Sequence, residues 1–385
     1  MAVFLQNKAH CCGCGACKDV CSGAAIEMKA DEEGFLYPSI DSSKCVNCQD
    51  CAHVCPFIQP IAPKGARKPK AYIARHISSE VCLTSTSGGV FTALSDHILR
   101  FGGAVYGAGF GKRMTVEHQR ALTAAQRDFF KGSKYVQSNM AGIYEQIRDD
   151  LSVGKLVLFT GTPCQNAAVK NRLTKTSLSL SSVIFCDLVC HGVSSPVIWA
   201  DFIRDLEKRY HSIITNYQFR PKTSGYLSSN ELCHLEKGLS VSLDQTWNQY
   251  NPLFYAGIIM RPSCYSCPYA CLPRVSDITI ADCGHVDLSA QQLDLPNGIS
   301  TVLTNTDKGA SLLAAVSPSL QLYESAIAEI MQPRLESPCP EPSLRFVFWN
   351  NYTRNGFHYA CRKYFGRFYR IKCKSKFALK RIMQY

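Results

Sequence analysis

The chain has 385 residues, 46% of them apolar and 10% aromatic, with a net charge of +12 and 21 cysteines. That length admits two or three domains with a sizeable core, and the composition excludes a disordered or fibrous chain. No apolar run reaches the roughly 18 residues of a membrane span, and the opening MAVFLQNKAHCC is too short and too weakly basic for a secretory signal, so a cytoplasmic location with reduced thiols is expected.

Two cysteine runs open the chain, Cys11-x-x-Cys14-x-x-Cys17-x-x-x-Cys21 and Cys45-x-x-Cys48-x-x-Cys51-x-x-x-Cys55-Pro56. In this spacing three close thiolates clasp three iron corners of a 4Fe-4S cube, and the fourth cysteine crosses to the other cube. One cluster is therefore assigned to Cys11, Cys14, Cys17 and Cys55, and the other to Cys45, Cys48, Cys51 and Cys21. Zinc knuckles fit less well, because zinc closes on four ligands and has no use for a crossed fourth thiolate. Residues 1–62 read as a dicluster ferredoxin domain, too small to bury enough apolar surface without its cubes. The Pro-, Gly- and Lys-rich stretch from Pro60 to Pro69 reads as a linker.

From Ala71 onward strands and helices alternate. AYIARH and AVYGAGF read as strands on either side of a Ser/Gly turn and an amphipathic helix, TSTSGGVFTALSDHILRFG. A helix over AGIYEQIRDDLSVG, a strand over KLVLFT and a helix opened by GTPCQ follow. The strand SVIFCDLVC then leads into a helix starting near Pro196. This pattern predicts an α/β body over residues 71–310, with ligands at the C-terminal ends of the strands, and an α+β chain as a whole. After Ser212 the signal weakens: NYQFRPK and HLEKGLSVSL read as strands around the turn KTSGYLSSN, and a second cysteine concentration ends in the strand SDITIAD. LESPCPEPS is Pro-rich and is expected to separate the body from a tail over residues 340–385. From Arg345 to Tyr385 the tail holds 11 Lys or Arg and no acid, leaving a net +1 for the rest. The tail suits an acidic partner or an anionic membrane surface through Lys372, Lys374, Lys376, Lys380 and Arg381. The bland alternative is a solvated helix packed by its Phe and Tyr residues. No base-reading module accompanies the charge, which argues against nucleic acid.

Several junctions carry chemistry. Ser87, Gly88 and Gly89 precede a helix whose N-terminus offers unpaired N–H groups to a phosphate, although a Gly-Gly cap is the commoner use of such a turn. Gly161, Thr162 and Cys164 lie at a strand-to-helix junction, where the helix dipole favours a thiolate. Cys264-x-x-Cys267-x-x-x-Cys271 either binds zinc locally or supplies two ligands to a cluster completed by Cys164 and Cys190. His191, next to Cys190, is a candidate acid–base group, although a histidine at a strand end is more often simply a satisfied polar residue. No Ser-His-Asp or paired-carboxylate arrangement points to hydrolysis.

The ordered series TSGGVFTAL, GGAVYGAGF, KGSKYVQS, LFTGTPCQ, DLVCHGVSSPVIW, CYSC and SDITIAD resembles the beta subunit family of the deazaflavin coenzyme F-420 hydrogenases and dehydrogenases. The resemblance spans residues 8–305 and is to the branch with a fused N-terminal diferredoxin domain, common in bacterial polysaccharide gene clusters. It implies FAD in the body beside a third 4Fe-4S cluster, with Cys164, Cys190, Cys264 and Cys267 as that cluster's ligands and Cys271 spare. It also implies Ser87, Gly88, Gly89, Lys134, Gly161 and Thr162 as flavin-side residues. Where many relatives read Gly-Asp-x-Trp-Gly, this chain has Ala281-Asp282-Cys283-Gly284-His285, without the tryptophan. The function expected is an iron–sulfur flavoprotein oxidoreductase, electrons reaching FAD through the clusters and passing to a small-molecule acceptor. The alternatives are an electron-transfer subunit serving a partner enzyme and a nucleic-acid or membrane adaptor with purely structural clusters.

Overall fold

The computed structural model describes residues 7–61, 68–222, 231–243, 248–283 and 298–366. The expected turn KTSGYLSSN falls outside these residues apart from Lys222, as do Gly284, His285 and the lysines from Lys372 onward; the expected linker falls partly outside them.

The ferredoxin unit consists of an antiparallel pair, β1 (Ile26–Ala30) and β2 (Leu36–Ile40), with two short helices, α1 (Ala16–Val20) and α2 (Asp50–His53). Each helix starts inside a cysteine run from a left-handed residue, Gly15 or Gln49, which turns the chain so that consecutive thiols face inward.

The body is built on an eight-stranded sheet of β3 (Lys70–His76), β4 (Ala104–Phe110), β5 (Val116–Ala121), β6 (Val157–Gly161), β7 (Val183–Leu188), β11 (Ile278–Asp282), β12 (Ser300–Thr304) and β13 (Leu320–Ser325). Across the sheet they lie in the order β13-β3-β12-β11-β7-β6-β4-β5. A smaller sheet holds β8 (Ile214–Gln218), β9 (Glu231–Leu235) and β10 (Ser240–Leu243). β6 and β12 are buried at every position, as strands covered on both faces must be. The helices doing the covering include α4 (Val90–Arg100), α6 (Ile143–Ser152), α7 (Pro163–Leu173) and α10 (Asp307–Val316). Short α3 (Ser79–Leu83) and α5 (Ala124–Asp128), the longer α8 (Pro196–Tyr210), and α9 (Tyr250–Tyr255) complete the layers.

β4, β6, β7 and β11 run parallel, and β3 shares their direction because β12 is antiparallel to both β11 and β3. Five strands thus end on one edge of the sheet, and the loops that follow them carry the residues of interest. β13 joins the outer side of β3, so the sheet runs past residue 310, where the body was expected to end.

The C-terminal expectation is corrected more substantially. The tail begins as two helices, α11 (Arg345–Asn355) and α12 (Phe357–Phe365), which bury Phe348, Trp349, Phe357 and Cys361 in the same core as Trp199 and Phe254. Trp349 donates its indole N–H to Ile258 O at 3.1 Å, and Cys339 of the Pro-rich stretch is buried too. Aromatic burial outweighs the basic character here: each such side chain brings about 2–3 kcal/mol.

Candidate metal centres

The ferredoxin unit shares a core with the body: Cys12, Cys14, Ala16 and Val54 pack with Tyr106, Tyr144 and Phe159. Asp19 pairs with Arg148 at 2.7 Å and Arg172 at 2.6 Å, and Glu33 pairs with Arg345 of α11 at 2.9 Å. Tyr144 donates to Cys14 O at 2.9 Å, and Tyr269 to Pro56 O at 2.6 Å.

Cys11, Cys14, Cys17 and Cys55 face one another. Burial, then the sulfurs of Cys14, Cys11 and Cys55, push the Cys17 thiol up, and burial with Cys14 pushes Cys55 up to about 11. That mutual influence marks one site, in the set read from the spacing. The other crossed set, Cys21, Cys45, Cys48 and Cys51, lines a cavity of about 410 Å³ that opens to solvent. Cys48 is exposed there, and its neighbour Val46 is 74% exposed. The first site is sealed against the body and the second faces out.

A larger cavity of about 530 Å³, partly open, lies at the strand ends and is lined by Cys164, Cys190, Cys264 and Cys267. Cys164 opens α7 after β6, Cys190 follows β7, and the other two come from the turn after Pro262. Burial first, then the sulfurs of Cys264, Cys164 and Cys267, raise the Cys190 thiol. Val193 N–H lies 3.4 Å from the Cys264 sulfur, and the Thr162 hydroxyl 3.2 Å from that of Cys164. Cys271 is not on this lining and donates to Pro268 O at 3.3 Å. Among the described residues no three His, Cys, Asp or Glu side chains close round a single metal ion. Four thiols spread round a roomy cavity suit the corners of a cube better than one zinc at about 2.3 Å from each sulfur.

Cys12 was not singled out from the sequence, although the doubled cysteine was visible. It lines the same cavity, and its thiol hydrogen-bonds with both Cys14 and Cys164. Those hydrogen bonds raise the Cys12 thiol, while they lead the lowering of Cys14, to about 7, and of Cys164. The donor set therefore has thiolate character where ligands are needed and a protonated thiol between them.

The residues expected beside a flavin fall in three places along the same edge. Gly88 packs against the sheet: a Cβ there would lie 2.5 Å from Ala74 O and 2.7 Å from Ser300 N. Its N–H donates to Ser300 Oγ at 2.8 Å, Ser87 Oγ donates to Ile299 O at 2.7 Å, and Gly89 caps α4 in the left-handed region. Lys134 donates to Phe129 O at 3.0 Å and Lys131 O at 2.9 Å, lies 5.7 Å from the Phe110 ring, and is lowered to about 7 by burial. Gly161 and Thr162 sit at the head of α7, where Gln165 accepts from Thr162 N–H at 3.0 Å. These contacts give Ser87, Gly88 and Gly89 a structural use independent of any ligand.

His191 lines the cavity, with its ring against Phe254 at 5.4 Å and Tyr255 at 6.1 Å. Its Nε2 is buried with no hydrogen-bond partner among the described residues. Burial, aided by Arg334, holds the imidazole below its usual pKa, so it is neutral near pH 7.

Residues 10–58 match the family model of the 4Fe-4S dicluster domain, and residues 154–329 that of the C terminus of the coenzyme F420 hydrogenase/dehydrogenase beta subunit. The chain belongs to the coenzyme F420 hydrogenase/dehydrogenase beta subunit family. An uncharacterized ferredoxin of Methanocaldococcus jannaschii is 38% identical over 69 residues, 17% of this chain and 88% of the relative. A chain from the xenon-derivatized F420-reducing NiFe hydrogenase complex of Methanosarcina barkeri is 20% identical with a TM-score of 0.46, the match covering 77% of this chain and 93% of that one. Members of this beta subunit family are oxidoreductase subunits, and the dicluster domain makes this member an iron–sulfur electron-transfer protein. No helix among its described residues is long and apolar enough to cross a membrane.

Proposed function

We propose that the chain is an FAD-dependent iron–sulfur oxidoreductase acting on a small-molecule acceptor, with a third 4Fe-4S cluster held by Cys164, Cys190, Cys264 and Cys267. The observation that carries this reading is the convergence of those four cysteines, from three separate segments, on one cavity that also receives Cys12 of the ferredoxin loop. When bound, the clusters would supply one-electron transfer, and FAD the conversion to a two-electron equivalent.

The chain's own residues arrange this by depth. Cys21, Cys45, Cys48 and Cys51 open to solvent and suit contact with an electron-carrying partner. Cys11, Cys14, Cys17 and Cys55 lie between them and the body, where Tyr144 and Arg261 fix their loop. His191, neutral and with an uncommitted Nε2, is the group proposed to hold or release a proton at the body site. Ser87, Gly88, Gly89, Lys134, Gly161 and Thr162 are proposed as flavin-side through their place on the strand-end edge. Deazaflavin, a nicotinamide or a sugar intermediate of polysaccharide biosynthesis are the acceptors to compare. A cytoplasmic site, with the basic C-terminal end at an anionic membrane surface or on an acidic partner, fits the charge distribution.

Anaerobic purification should give about twelve iron atoms per chain, three cubes of four, equivalent sulfide and a flavin absorption band. Zinc alone, without flavin, would sink the proposal. Reduced protein mixed with each candidate acceptor should be reoxidised quickly only by the true one. The Cys264→Ala variant should lose about four irons, one cube's worth; a full complement would reject the third-cluster assignment.

A second reading, an electron-transfer subunit with no substrate of its own, is favoured by the outward-facing ferredoxin site with Val46 beside it. Rapid reoxidation by a partner protein but by no small molecule would select it, and a salt-insensitive partner interaction would count against docking through the basic end.

A further inference from the structure

Four arginines are buried in the described residues, and three of them have carboxylate partners: Arg127 with Asp96 and Asp128, Arg274 with Asp187, Arg345 with Glu33. Arg261 is the most deeply buried of the four, at 0% exposure, and no Asp or Glu among the described residues forms an ion pair with it. Its neighbours are neutral oxygens, aromatic rings and sulfur. Nε donates to Cys11 O at 2.5 Å, Nη1 to Gln137 Oε1 at 3.0 Å and Nη2 to Leu36 O at 2.9 Å. Nη2 also lies 3.5 Å from the Cys11 sulfur, and the guanidinium sits 4.2 Å from the centre of the Tyr37 ring. On its other side the same side chain lines the cavity that holds Cys164 and Cys264.

A guanidinium cannot escape burial by losing its proton, so a buried arginine needs a counter-charge. Here the available negative charge is sulfur. A 4Fe-4S cube with four cysteine thiolates is anionic in both of its ferredoxin-type oxidation states, and nearby positive charge in a low-dielectric interior favours the more negative, reduced form. We propose that Arg261 is a positioning residue whose guanidinium is the shared counter-charge of two clusters, one on Cys11, Cys14, Cys17 and Cys55 and the other in the body cavity. The proposal rests on the third-cluster reading above. It makes both inner centres easier to reduce than their ligands alone would, while the centre on Cys21, Cys45, Cys48 and Cys51 does not depend on Arg261.

The test is a redox titration of anaerobic protein followed by electron paramagnetic resonance, with iron counted in every sample, on wild type, Arg261→Gln and Arg261→Lys. The expected result for Arg261→Gln is a shift of both inner midpoint potentials to more negative values, with the outer centre unmoved; Arg261→Lys should restore part of the shift. If Arg261→Gln loses inner iron, retention of that iron by Arg261→Lys supports the charge role, and equal loss in both variants overturns it in favour of guanidinium geometry alone. Full iron with unmoved inner potentials also overturns the proposal, as does an equal shift of all three centres. Wild type holding only about eight irons, two cubes of four, would instead overturn the third-cluster reading, and the shared role with it.

Discussion

Cys12 has a single thiol proton and two sulfurs, Cys14 and Cys164, to offer it to. If both neighbours are ligands they are thiolates and only accept, so Cys12 is a donor beside two centres rather than a ligand of either. Replacing Cys12 with alanine should leave the iron content at about twelve per chain, the three-cube value; loss of about four irons would make Cys12 a ligand. His118 serves the same region from behind. Its Nε2 donates to Thr160 O at 3.0 Å and its Nδ1 accepts from Ser138 Oγ at 2.9 Å, while Gln165, which holds Thr162 at the head of α7, donates to the same hydroxyl at 2.9 Å. Complete burial lowers His118 to about 4, against the weaker opposing effect of the Thr160 bond. A depressed histidine contributes stability that is fully present above the unfolded value of about 6.5 and is lost as pH falls toward the folded value. Between pH 7 and 5 the loss should be roughly 2 kcal/mol. Denaturant midpoints measured across that range should fall more steeply for wild type than for His118→Phe; parallel slopes would exclude this role. The ferredoxin cysteines were legible because their spacing is a local property of the chain. Arg261 and His118 were not, because their importance comes from what surrounds them after folding, and Met-Arg-Pro-Ser ahead of Cys264 looks like ordinary loop.

At the level of elements, the parallel strands and their helices follow from apolar runs and glycine stops, and the strands over 104–110 and 278–282 and the helix over 196–210 lie where periodicity puts them. β12 and β13 are short and carry weak patterns of their own. Their place on either side of β3 is decided by pairing, which no single stretch encodes. That pairing explains the Gly88 turn, where the backbone of one loop lies directly on Ala74 and Ser300. The resemblance points to a flavin there, whereas the geometry requires the glycine for packing alone. Gly88→Ala should cost about 1–3 kcal/mol through overpacking, read as a lower denaturant midpoint even in protein stripped of flavin. A variant as stable as wild type when flavin-free, but unable to retain flavin, would restore a purely ligand-binding role. The aromatic residues of α11 were visible in the sequence, but nothing local distinguished them from a solvated basic tail. Only the acceptor at Ile258 O and the apolar wall beside Phe254 settle their burial.

For the whole molecule, depth is the organising variable. One ferredoxin site faces solvent, the next is buried in the seam, and the cavity of the body lies beyond it. Anaerobic exposure to an iron chelator should therefore remove about four irons, one cube, from the outer site well before the rest, with the inner signals persisting; simultaneous loss of all iron would contradict this ordering. The linker composition suggested two beads on a string, whereas the residues joining the units are the cysteine loop itself, locked by Arg261, Gln137 and Tyr144. A one-residue view of the motif cannot reveal this, since every ligand would be the same in a free-standing ferredoxin. The seam also sets a chronology for biogenesis. Cys14 is only 8% exposed once the loop is seated, so an assembly factor delivering a cube must reach the chain while that loop is still open. Maturation and folding are then one event, and the loaded inner cube is what allows the door to shut.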